Sequence, residues 1–201
     1  EQQQTLTYLD SMLQQKEKEF EAIKGNYVLE KDTAYQDIGN YFYPSQTVEK
    51  NINRTYLRAQ VNERGQMALT SIYCGSGNIH HTAVKVSVKD GSFAQTPVSK
   101  DIYETSDLGV KKADYKLGDD GNVIGFITIN KDNNIKVEYL GDRNYTTTMS
   151  PSDRLAVAEV YNLAQILASI EGIKKEMKEA NLKIEFVTRK IQERNSGEAK
   201  E

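Results

Sequence analysis

The residues best equipped for chemistry sit in one short run, Cys74-Gly75-Ser76-Gly77-Asn78-Ile79-His80-His81. It holds the chain's 1 cysteine and both of its 2 histidines. A thiolate, an imidazole and a flexible glycine turn are the parts of a cysteine-nucleophile site or of a zinc site. Zinc needs three or four protein ligands, and no third ligand stands at a suitable spacing. Adjacent histidines on a strand point to opposite faces, so only one of His80 and His81 can easily join Cys74. The competing reading is a glycine hairpin loop with Cys74 packed as a small hydrophobe.

Other constellations are weaker. Asp119-Asp120-Gly121-Asn122 and Asp132-Asn133-Asn134 resemble pieces of calcium loops. Calcium takes six to eight oxygens, and the EF-hand spacing that ends in glutamate is absent, so both read first as hairpin turns. Tyr41-Phe42-Tyr43 could stack on a sugar or a peptide. Its alternative is packing within a strand, where aromatics are enriched. Gly75-Ser76-Gly77 is followed by neither a Lys-Ser/Thr pair nor a helical pattern, so it cradles no phosphate. The sequons at Asn53 and Asn144 read as chance triplets. No catalytic set emerges, and no metal or other cofactor is implied.

The elements that must position these residues are clearer. A heptad seam of Leu163, Ile166, Ile170, Ile173, Met177, Ala180, Ile184, Val187 and Ile191 predicts a long C-terminal helix lying on another helix. A shorter seam runs through Leu6, Leu9, Leu13, Lys16, Phe20 and Ile23, and Gly25-Asn26 closes it. Between them, β-branched and aromatic runs alternate with turn signals. Strands are expected at 55–62, 66–74, 81–89, 113–117, 122–130 and 135–140. Ser150, Pro151 and Asp153 have the spacing of a capped helix start, with Asp153 in the capping-box position.

The expected architecture is therefore α+β. An antiparallel β-rich central domain, a sandwich or curved sheet over 26–149, is flanked by helices over 1–25 and 150–194 that pair as an antiparallel coiled coil. Gly172 marks a place for a break in the second helix, and 195–201 is expected to be a disordered tail. The second seam is longer than the first. Met177, Ile184, Val187 and Ile191 are thus the expected contact with a second subunit.

A net charge of -3 and interleaved lysines and acids along the second helix give no case for nucleic acid. No apolar run has the length of a membrane span. The polar start Glu1-Gln2-Gln3-Gln4 suits residues that follow a signal peptide or a lipid-modified cysteine, so membrane association is expected only through such a removed anchor.

The runs Leu57-Arg58-Ala59-Gln60-Val61-Asn62-Glu63 and Met67-Ala68-Leu69-Thr70-Ser71-Ile72-Tyr73, with Gly75 and His81, resemble uncharacterised cell-envelope proteins of Gram-negative gut bacteria. Gly141-Asp142-Arg143-Asn144-Tyr145 has the same character. The resemblance implies an extracytoplasmic, lipoprotein-type location and no particular activity; a cytoplasmic location is the alternative. The expected function is a non-enzymatic envelope binding or assembly protein that presents a β domain, with a protein or glycan ligand, on a helical stalk. The alternatives are a prefoldin-like chaperone and a hydrolase using Cys74 with His80 or His81.

Overall fold

Both faces of the central strands are largely covered, and successive side chains enter different surroundings. In Tyr56–Asn62, the side chains of Leu57, Ala59 and Val61 enter the main core, as the period of two requires. A computed structural model describes residues 1–32, 34, 38–105 and 110–198. The elements run α1 (Gln2–Ile23), β1 (Val28–Glu30), β2 (Asn40–Phe42), β3 (Tyr56–Asn62), β4 (Met67–Tyr73), β5 (Ala83–Ser87) and β6 (Phe93–Gln95). They continue with β7 (Asp101–Thr105), β8 (Val110–Lys116), α2 (Val123–Ile129), β9 (Lys136–Leu140), β10 (Tyr145–Thr148) and α3 (Pro151–Glu198).

The fold is α+β, with two antiparallel sheets and a helix at each end. Among the described residues, one sheet has 6 strands in the order β1-β2-β3-β4-β8-β7, and the other has 4 in the order β10-β9-β5-β6. Every pairing in both is antiparallel. One face of each sheet, α2 and the first third of α3 share a single core, in which Leu69, Val86, Val137, Ile124 and Leu163 are wholly buried.

Helix α1 packs along α3. Burial follows the heptad reading: Leu9 is buried and Leu6, Leu13, Phe20 and Ile23 are half-buried. On α3 the covered stripe includes Leu163, Ile170, Ile173 and Ala180, with Met177 and Ile184 half-buried. Val187 and Ile191, which continue the stripe, are 52% and 53% exposed. The hydroxyl of Tyr27 donates to Glu159 O at 2.7 Å and ties the exit of α1 to the root of α3. Among the described residues, no helix is long and apolar enough to cross a membrane.

Four expectations about the elements are corrected. Segment 122–130 is not a strand but contains helix α2. The Asp120 carboxylate accepts the N–H groups of Ile124 at 2.8 Å and Asn122 at 3.3 Å, satisfying the helix start. Val123, Ile124 and Ile127 are buried at helical spacing, so tertiary packing overrides the strand preference of a β-branched run. Strand β9 is accordingly not the last, since β10 follows it.

Nor does Gly172 break α3, which is one helix of 48 residues. A glycine there costs about 1 kcal/mol relative to alanine. The buried Ile170 and Ile173 on either side hold the helix in register across it. The helix also runs past residue 194 to Glu198, and 199–201 of the expected tail lie outside the described residues.

Candidate functional site

The structure does not unite the candidate thiol–imidazole set. Cys74 follows β4 on the face that carries Ile72, and it packs beside Tyr56, Ile72 and Val110. Ser71 and Tyr73 point to the opposite face, and that is the face His81 joins. His81 Nε2 lies 2.9 Å from Ser71 Oγ, and its ring stands edge-on to Tyr139. His80, at φ 50, points outward, with Nδ1 2.8 Å from Asp142 Oδ2. Strand alternation thus separates Cys74 from His81.

The contact between Ser71 and His81 has the reach of a nucleophile–base pair. Both groups are wholly buried, however, and Ser71 Oγ is also hydrogen-bonded to the Tyr115 hydroxyl at 3.1 Å and donates to Ala113 O at 3.3 Å. Among the described residues, His81 Nδ1 has no carboxylate to orient it. Burial holds the His81 pKa below its ordinary value. The pair is a neutral core hydrogen bond. Among the described residues, no group of three or more His, Cys, Asp or Glu side chains could hold a metal ion. Asp120, in a turn that resembles a piece of a calcium loop, is already engaged by the backbone of α2.

The aromatic run is divided in the same way. Tyr41 meets Phe20 of α1 edge-on at 6.0 Å, and Tyr43 meets Tyr27 edge-on at 6.2 Å. Phe42 points to the other face, where it lies under Arg58, whose Cζ is 5.4 Å from the ring centroid. Tyr41-Phe42-Tyr43 is therefore not one stacking platform.

That other face of the six-stranded sheet carries an ordered polar site. Antiparallel register aligns Arg58 with Thr70 and Thr70 with Asp114, while Gln60 stands beside Ala68 and Ala68 beside Lys116. A chain of hydrogen bonds crosses four strands. Arg58 Nε donates to Gln60 Oε1 at 3.2 Å, and Gln60 Nε2 donates to Thr70 Oγ1 at 2.7 Å. Thr70 Oγ1 donates to Asp114 Oδ1 at 2.6 Å, and the Tyr103 hydroxyl donates to the same oxygen at 3.3 Å. Above this chain lies a cleft of about 780 Å³ lined by Phe42, Arg58, Gln60, Tyr103, Asp114 and Lys116, among others. Burial, and then the Asp114 charge, raise the Tyr103 pKa. Burial, and then Arg58, lower that of Lys112 on the same face, with Asp114 opposing.

Sequence reasoning missed these residues. The available signal was the polar partner of the β3 alternation, Arg58, Gln60 and Asn62, which reads as a wet face without showing what lies beside it. It also missed the clamp at the other end of β3. Asp153 does not complete a capping box: Ser150 Oγ accepts the Asp153 N–H at 3.1 Å, but the Asp153 carboxylate turns inward to pair with Arg54 and accept from Gln46 Nε2 at 3.1 Å. Comparison with protein-family models, with curated proteins and with solved structures finds no match.

Proposed function

We propose that the chain is a non-enzymatic binding protein of the cell envelope. Its β domain presents the cleft on the six-stranded sheet, and α1 and α3 form the arm that carries it. The observation that carries this reading is the ordered network from Arg58 to Tyr103 beneath an open cleft. Ordering of opposed charged groups is what a binding floor needs, because side chains already fixed lose less entropy when a ligand arrives. The envelope location rests on the resemblance of segments 57–63 and 67–73.

In this reading the two sheets are the layers of a sandwich closed by α2 and α3. The helices are an antiparallel coiled coil, supported by heptad burial on both and by the Tyr27–Glu159 tie. Val187 and Ile191 continue that seam past Ile184, so a second copy of the chain is the partner that extends it. A prefoldin-like chaperone has less support, since ten strands in two sheets replace a pair of hairpins. A hydrolase has less again, with Cys74 and His81 on opposite faces.

Chemical-shift mapping of the labelled full chain against a small-molecule fragment library tests the proposal. Perturbations are expected to gather at Arg58, Gln60, Tyr103 and Asp114. Turnover of an ester or amide substrate that Cys74→Ala abolishes would overturn it, as would fragments that cluster away from the cleft.

A further inference from the structure

We propose that the cleft on the six-stranded sheet takes a neutral polyhydroxylated ligand, a short saccharide chain; this rests on the binding role above and names its ligand class.

The floor of the cleft holds one strong donor and one strong acceptor of opposite charge. Arg58 is only 8% exposed. Among the described residues no carboxylate forms an ion pair with it. Its Nε is spent on Gln60, its plane lies over Phe42, and the Tyr56 hydroxyl stands beside it. Asp114 receives both of its side-chain hydrogen bonds on Oδ1, from Thr70 and Tyr103. Among the described residues Oδ2 accepts none. Thr70, wholly buried between the two, keeps them apart and in place.

This arrangement discriminates by charge. An anion is drawn to Arg58 and repelled by Asp114, and a cation meets the reverse. A hydroxyl carries one donor and two acceptor positions, so it serves both ends at once. Charge-assisted hydrogen bonds to a guanidinium and a carboxylate are about twice as strong as neutral ones. At the rim, Asn62 Nδ2 donates to Gln66 Oε1 at 2.8 Å and holds that carboxamide with its Nε2 as a donor for a ligand, and Asn40 adds a second carboxamide. Lys116 and Asp119 offset one another there. Tyr103, 40% exposed, gives an aromatic ring against which C–H groups of a sugar can lie. A volume of about 780 Å³ falls within the range of small-ligand pockets.

Titration calorimetry and chemical-shift mapping on the full chain test this. The probes are neutral trisaccharides of gluco, galacto and manno configuration, a trigalacturonate and a tetrapeptide of alanine and glycine. At least one neutral trisaccharide is expected to perturb Arg58, Gln60, Tyr103 and Asp114. Asp114→Asn and Arg58→Gln should each weaken it about tenfold or more, as should Gln66→Ala to a smaller extent at the rim. Phe93→Ala, on the outer face of the four-stranded sheet, should leave affinity unchanged. Thermal melts identify any variant that has lost its fold, and Gln66→Ala keeps the test open if Arg58→Gln does so.

Tighter binding of trigalacturonate that survives Asp114→Asn overturns the neutral class. Binding of the peptide alone at the cleft overturns the saccharide and leaves the binding role standing. Saccharide binding indifferent to all three cleft substitutions overturns the site. If no probe perturbs the cleft and the fragment library also leaves it untouched, both readings fall.

Discussion

Gln46 Oε1 accepts the backbone N–H of Ala59 at 2.9 Å, on the edge of β3 that β2 leaves uncovered. On the same edge Gln46 Nε2 donates to Leu57 O at 2.8 Å. One carboxamide thus does for β3 what a neighbouring strand would do, after β2 has ended at Phe42. Gln46 is wholly buried, so its removal strands a donor and an acceptor of the main chain. Gln46→Ala is expected to lower stability by about 2–4 kcal/mol, on the scale of unsatisfied buried groups. Urea unfolding of the variant, read as a shift in midpoint at constant slope, checks it.

Ser150 and Asp153 separate two roles at the start of α3. Ser150→Ala removes a capping hydrogen bond and should lower stability by about 1 kcal/mol. Asp153→Ala leaves Arg54 and Gln46 without their carboxylate and should lower it by about 3 kcal/mol. Equal losses in the two variants, measured by the same unfolding curves, would return Asp153 to an ordinary capping role.

Gly65 turns the chain from β3 to β4 at φ 83, and a Cβ there would strike the backbone of α3 at Ala168. Gly65→Ala combines a left-handed conformation with a clash that no rotamer relieves. We expect a loss of about 2 kcal/mol or more, since each effect alone reaches about 1 kcal/mol. A thermal melt of the variant reads it.

His81 gives the fold a defined acid sensitivity. Burial lowers its folded pKa, so the unfolded chain takes up the proton more readily. Stability therefore rises with pH through this window. The His81 contribution is whole above the unfolded value of 6.5 and is lost as pH falls below it towards the folded value. Unfolding free energies at about pH 7 and about pH 5.5 should differ in the wild type. The difference should shrink in His81→Gln. An equal pH dependence in both proteins would remove His81 as its source.

Val187→Lys with Ile191→Lys tests the second copy on the seam. Both positions are exposed in the single chain, so the unfolding free energy of the monomer should change by no more than about 0.5 kcal/mol, as expected of surface changes. Light scattering should show the wild type above the mass of one chain and the double variant at it. A wild type that stays monomeric at high concentration would end the proposal.

The helical parts were legible because their information is local. Leu6, Leu9, Ile170 and Ile173 declare a buried stripe by spacing alone, and the structure covers it. Strand β9 was legible for the same reason, within the expected range 135–140. Helix α2 was not. Val123 to Ile129 has the composition of a strand, and what makes it helical is an Asp120 carboxylate and a core built by distant elements. The cleft was least legible of all. It depends on β4 taking β8 as its neighbour, so that Thr70 meets Asp114 across 44 positions of sequence. Consecutive strands are the usual neighbours, and nothing in the Thr70 segment announces the exception.

The uninterrupted course of α3 through Gly172 has a mechanical consequence. Its first turns are bricks of the core and its last turns stand clear of it, with no hinge between. At about 1.5 Å per residue the rod is roughly 70 Å long. A torque applied near Ile191 is delivered to Val160 and Leu163 without slack, so whatever grips the free end also steers the direction in which the sheet faces.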